Sequence, residues 1–167
     1  VAVVSPFCGR GCRYRWLRIL RSAPPMAIRL EYRDIAPQAV QALAGVNSYV
    51  DGSSLQPLLR RLVEVRTSQI NGCAYCVHVH THQALALGET QERIDALVSW
   101  QVSALFKPDE RAALGWTEAV TKITEGDATD GKFANLRKYF NDREIVDLTW
   151  AISTMNAWNR IAIAFQR

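Results

Sequence analysis

Leu55, Leu58, Leu59, Leu62, Val63 and Ile70 recur at spacings of three and four residues, and the pattern stops at Asn71-Gly72. This spacing lays an apolar stripe along one side of a helix, and Asn-Gly tolerates the left-handed backbone that a sharp corner needs. A second helix is expected to start at Cys73 and run to Leu87, with Gly88 as its stop. Each helical residue advances about 100°, so Cys76 lies about 60° from Cys73 and His80 within about 20° of it. One helical face therefore carries two thiols and an imidazole.

The same reading extends along the chain. Gln38–Val50 has a helical pattern ended by Asp51-Gly52, and Ser53 or Ser54 is placed to cap the following helix. Thr90 is placed to cap a short helix through about Val98, and Pro108 fits the first turn of a longer one ending at Glu125-Gly126. The polar stretch Asp127–Gly131 reads as a loop before a short helix over Lys132–Phe140. Asn141 with Glu144 has capping-box spacing, and the chain then reads as helix to its end. No segment has the period-two alternation of a strand, so an all-α fold is expected. In the last helix Ile145, Leu148, Trp150, Met155, Trp158 and Ile163 cover more than one side, the pattern of a helix that is central or shared with another subunit.

Residues 1–25 contain five arginines and no acid, which exceeds the net charge of +4 of all 167 residues. The remainder is slightly acidic, and the body offers no charge-based case for nucleic-acid binding. The expected organisation is an N-terminal extension over 1–25, disordered or artefactual, or else an arginine-rich targeting or anion-binding arm, followed by one domain over 26–167. No apolar run reaches the roughly 18 residues of a membrane span, and Ser5 and Pro6 break the opening apolar stretch. A soluble, cytoplasmic protein is expected, without membrane association.

A free thiol titrates near pH 8.5, and a first helical turn favours the thiolate through its unpaired N–H groups and the helix macrodipole. His80, one turn beyond Cys76, is placed to act as a base or as a stabilising imidazolium. Such a pair suits redox cycling. Zinc prefers four ligands, whereas Cys73, Cys76 and His80 supply three, and Cys8 or Cys12 would be needed to complete the set, so no metal is expected. A thioredoxin-like domain would need a strand before its CxxC, which is missing. Two cysteines packed as small apolar groups at a corner is the plain structural alternative. His78 and His82 fall on the far side of the helix with Tyr75, as a solvated or packed pair outside the chemistry. No flavin, haem or nicotinamide fingerprint is present, so no cofactor is expected.

Ser68-Gln69-Ile70-Asn71-Gly72-Cys73-Ala74-Tyr75-Cys76, with His80 four residues on, resembles the core motif of alkylhydroperoxidase AhpD-like proteins in the carboxymuconolactone decarboxylase superfamily. Glu110–Ala119 and Asn156–Arg160 resemble later family helices, so the likeness runs from about Met26 to the end. The resemblance implies an AhpD-like helical bundle with the CxxC at the N-terminus of a central helix. It also implies a homo-oligomer, trimer or hexamer, with antioxidant, peroxiredoxin-type activity on a hydroperoxide substrate. Carried over, Cys76 attacks the peroxide, Cys73 resolves the sulfenic acid and His80 belongs to a proton relay, with a lipoyl- or thioredoxin-like dithiol protein as reductant. The family glutamate twelve residues before the first cysteine corresponds to Arg61 here, and Glu64 is the substitute, its alternative being a solvated salt bridge with Arg60 or Arg61. The histidine sometimes found between the family's cysteines corresponds to Tyr75.

Two further features remain open. Arg66 and Gln69 lie within the apolar stripe, where Arg66 would hold the thiolate or a carboxylate, or form a structural ion pair. Asn156, Asn159 and Arg160 interrupt the last helix, either lining a pocket or fixing helix packing. The alternatives to a peroxidase are a lactone decarboxylase-like enzyme and a non-catalytic helical oligomer whose CxxC is structural or senses redox state.

Overall fold

A helix opened by Pro57 in its first turn and closed by left-handed Gly72 (φ 70°) forms the axis of the structure, a computed structural model that describes residues 27–166. The expected extension over 1–25, with Cys8 and Cys12, lies outside the described residues. In chain order the described helices are α1 (Tyr32–Ile35), α2 (Pro37–Asp51), α3 (Pro57–Asn71), α4 (Ala74–Ala86), α5 (Gln91–Ala96), α6 (Pro108–Thr121), α7 (Asp130–Leu136) and α8 (Asp142–Phe165). Short 3₁₀ turns follow α5 and α6 over Leu97–Ser99 and Ile123–Glu125. The fold is all-α, as the periodicity requires.

Two boundaries differ from the sequence reading. Neither Ser53 nor Ser54 caps α3; Gln56 stands at the cap without a side-chain bond, because Pro57 presets the first turn and removes one of the donors a cap would satisfy. The helix from Pro108 ends at Thr121, and Gly126 closes only the 3₁₀ turn behind it. Asn141 and Glu144 do form the reciprocal capping box of α8.

The two larger apolar clusters of the core are joined by α3. Leu59 and Val63 pack with Ala113, Leu136, Leu148 and Ile152 from α6, α7 and α8. One helical step around, Leu62 and Val65 pack with Ala84, Ile94, Leu97 and Leu114. Because both sides of α3 are covered, its polar residues Arg60, Glu64, Thr67 and Ser68 are buried as well. The central helix is thus α3, and the CxxC helix α4, which buries only Cys76 and Ala84, lies outside it. The amphipathic pattern of α8 also resolves here: Ile145, Leu148 and Ile152 enter the core, while Val146, Trp150 and Ile163 remain exposed.

The corner between α3 and α4 is tied to α8 by side-chain amides. Asn71 Nδ2 donates to Asn156 Oδ1 (3.0 Å) and Asn159 Oδ1 (2.9 Å), and Asn159 Nδ2 donates to Ser68 Oγ (3.1 Å). Arg160 Nη1 donates to the carbonyl and the side-chain oxygen of Asn156. Of the two readings of these residues, they fix helix packing. Asn159 is fully buried, so Asn159→Ala removes its bonds to Asn71 and Ser68 and opens a void; it is expected to destabilise the protein by about 2 kcal/mol, measured as a lower urea midpoint at unchanged slope.

Candidate active site

The left-handed Gly72 turns the chain so that Cys73 becomes the residue flanking α4 and Cys76 falls in its first turn. A side chain at Gly72 would meet nothing within 4 Å, so glycine is required there by backbone conformation alone. Cys73 and Cys76 are paired as a disulfide with Cα atoms 5.3 Å apart, and both are buried, packing with Ala162 of α8. The positive end of α4 points at this pair.

Cys76 and His80, one turn apart, line a common cavity of about 220 Å³ between α1, α2, α4 and α8. Its walls are mainly apolar, from Val79, Met155, Trp158 and Ala162, while Tyr75 stands at its edge in the place of the family histidine. Cys73 does not line this cavity. A small molecule in the cavity would therefore lie against Cys76 rather than Cys73.

Behind His80 lies Glu64, whose side chain is only 3 % exposed. Glu64 Oε2 sits 3.0 Å from His80 Nδ1, and Gln83 Oε1 is also 3.0 Å from that nitrogen. A carboxylate and an amide oxygen only accept, so Nδ1 carries the hydrogen, and in the neutral ring Nε2 is left as the acceptor. Arg60 Nε donates to Glu64 Oε1 (2.8 Å) and Arg61 Nη1 to Glu64 Oε2 (2.5 Å). Arg60 is itself buried and reaches Asp51 at the end of α2. The expected alternative of a solvated Glu64 salt bridge is overturned: the side of α3 opposite the apolar stripe is covered by α4 and the end of α2, which turns a surface pair into a buried network.

Burial pushes the Glu64 carboxyl upward, but the hydrogen bond and charge of the His80 side chain, with Arg60 and Arg61, outweigh it and bring it down to about 2. Arg66 does not reach the cysteines. Its guanidinium holds Glu118 of α6 (Nη2 to Oε1, 2.6 Å), an oxygen that also accepts from Trp100 Nε1 (2.8 Å), so it forms a structural ion pair. Gln69 Oε1 accepts from the same guanidinium. His78 and His82 are exposed and stacked edge to face with ring centres 4.4 Å apart. Among the described residues no group of three or more His, Cys, Asp or Glu is placed to hold a metal ion.

Sequence reading missed the cavity walls and the braces. Met155 and Trp158 carried only a core pattern, although Trp158 falls inside the Asn-Ala-Trp-Asn-Arg motif already singled out. The Arg60–Asp51 pair joins two helices nine residues apart in sequence, and no spacing signals it.

Comparison with known proteins places this geometry in context. The model of the carboxymuconolactone decarboxylase family matches residues 37–119, from α2 through most of α6. YdfG of Bacillus subtilis (strain 168) is 36 % identical over 139 residues, spanning 83 % of this chain and 95 % of YdfG. The crystal structure of ATU0492 from Agrobacterium tumefaciens, a protein of unknown function named as a candidate AhpD antioxidant-defence protein, superposes with a TM-score of 0.82. It is 40 % identical and covers 84 % of this chain and 96 % of its own. The debrominase Bmp8 superposes with a TM-score of 0.66 at 22 % identity, over 78 % of this chain and 70 % of that one, a likeness of fold alone.

The depressed Glu64 carboxyl has a measurable consequence. Its folded value of about 2 lies below the ordinary glutamate value of about 4.3, so its stabilisation is complete above about pH 4.3 and is lost as pH falls through about 2. Glu64→Gln, which leaves Arg60 and Arg61 facing a neutral group, is expected to be less stable at neutral pH. It should also show a flatter dependence of unfolding free energy on pH between about 4.5 and 2, the parent losing on the order of 3 kcal/mol more across that window in denaturant titrations.

Proposed function

This chain is an AhpD-like member of the carboxymuconolactone decarboxylase family, and we propose that it is a thiol-dependent peroxidase that cycles Cys73 and Cys76 between dithiol and disulfide. The observation that carries this reading is the shared cavity: Cys76 and His80 face it together, and His80 is oriented by Glu64 from behind. In the reduced protein, His80 Nε2 takes the Cys76 proton, directly or through a water. The thiolate attacks the outer peroxide oxygen; an S–O bond forms, the O–O bond breaks, and the leaving alkoxide receives the proton from His80 as an alcohol. Cys76 is thereby oxidised by two electrons to sulfenic acid. Cys73 attacks that sulfur, the disulfide forms and water leaves. Two electrons from an external dithiol, on a lipoyl- or thioredoxin-like protein, restore the pair.

Glu64 stands in for the family glutamate displaced by Arg61. Its role is to hold the His80 tautomer and to stabilise the imidazolium that forms during proton transfer. The lactone decarboxylase alternative gains nothing from a second cysteine, and a purely structural cysteine pair gains nothing from a cavity-facing histidine braced by a buried carboxylate. The cytoplasm, where a dithiol donor is at hand, and a homo-oligomeric state, a trimer or hexamer, complete the proposal.

The decisive experiment uses a background with Cys8 and Cys12 changed to Ser, so that only the central pair is counted. Stoichiometric organic hydroperoxide is expected to remove two thiols rapidly, to leave a trappable sulfenic acid in Cys73→Ser, and to react slowly with Cys76→Ser. His80→Ala should lower the rate of thiol oxidation by about a hundredfold or more. A Cys76→Ser protein that consumes peroxide as fast as its parent would overturn the assignment.

A further inference from the structure

Arg33 of α1, an exposed side chain, is among the residues that line the cavity with Cys76 and His80. It is the one permanently charged side chain among the residues lining that cavity, and it forms no ion pair with a carboxylate among the described residues. The arginines behind His80 are committed: Arg60 to Glu64 and Asp51, and Arg61 to Glu64. The position of Arg33 is not that of a loose surface chain. Its guanidinium lies 5.7 Å from the centre of the Tyr32 ring, and Tyr32, buried, stacks on Phe165 at 5.5 Å. The segment before α1 is fastened to the end of α8, with Arg29 N–H donating to the Phe165 carbonyl (3.0 Å) and Arg29 Nη1 to the Ala164 carbonyl (3.1 Å). A cation with no ion pair among the described residues thus stands beside a braced aromatic ring in the lining of an otherwise mainly apolar cavity.

Resting on the peroxidase reading, we propose that the cavity selects organic hydroperoxides that carry a carboxylate on a short apolar body. The peroxide end meets Cys76 and His80, the body lies along Val79, Met155 and Trp158, and the carboxylate pairs with Arg33. The cavity, of about 220 Å³, has room for a short branched body beside Cys76. Hydrogen peroxide would use neither the apolar wall nor the cation. Arg33 is exposed, so its contribution is partly screened, and a preference of about fivefold is expected rather than an absolute requirement.

The test compares a tertiary hydroperoxide of a short alkanoic acid with its methyl ester, with tert-butyl hydroperoxide as a third probe, by stopped-flow thiol oxidation. In the parent the acid is expected to react about fivefold faster than the ester at low ionic strength, with the ratio shrinking as salt is added. Arg33→Gln should bring the acid-to-ester ratio close to one, and Arg33→Lys should retain much of it. An unchanged ratio in Arg33→Gln, or no preference for the acid in the parent, overturns the proposal while leaving peroxidase activity in place. Failure of all three probes to oxidise the parent's thiols would overturn the peroxidase reading itself, and charge selection with it.

Discussion

A carboxylate sealed inside a protein must be compensated, and the compensation of Glu64 organises this structure. Its side chain is almost fully buried, with one oxygen on Arg60 and the other shared between Arg61 and His80. Arg60, buried in turn, reaches Asp51. Three helices are thereby locked in one arrangement: α2 through Asp51, α3 through its arginines and glutamate, and α4 through His80. Arg60 and Glu64 are both buried, so removing one leaves the other a less fully compensated buried charge, which costs more than the net contribution of the intact pair. That asymmetry makes the network a device for fixing geometry, and the geometry it fixes is the direction of the His80 ring.

A second constraint comes from the corner. Gly72 supplies the backbone conformation that separates α3 from α4, and the Asn71 amide is held by two asparagines of α8. The same stretch of α8 also provides Met155 and Trp158 to the cavity wall. The helix that pins the corner thus closes the space in front of Cys76, so the position of the cysteine and the shape of its surroundings are set together. This contribution lies outside the segment that matches the family model, which ends at residue 119. Since a fold of this kind also carries a debrominase, the chemistry has to be argued from the site, and the parts of the site supplied by α1 and α8 are where chains sharing the fold have room to differ.

The sequence by itself determined the local and periodic features. The three-and-four spacing and the absence of alternation require an all-α fold; Asn71-Gly72 requires the corner; and intervals of three and four residues place Cys73, Cys76 and His80 on one helical face. These follow from backbone geometry that each short segment carries within itself. Tertiary structure alone decided which helix is central, and with it the fate of Glu64. A helical wheel places that residue opposite the apolar stripe of α3 and so toward water. It is buried because α4 and the end of α2 cover the second side as well, and covering depends on partners whose docking no local period records. The same reason explains Arg66, which turned toward Glu118 fifty-two residues away, and Tyr32, whose ring stacks on Phe165 where the segment before α1 is fastened to the end of α8. Spacing along one helix fixes which groups share a face; which face meets solvent, cavity or a buried charge is set by the packing of all the helices at once.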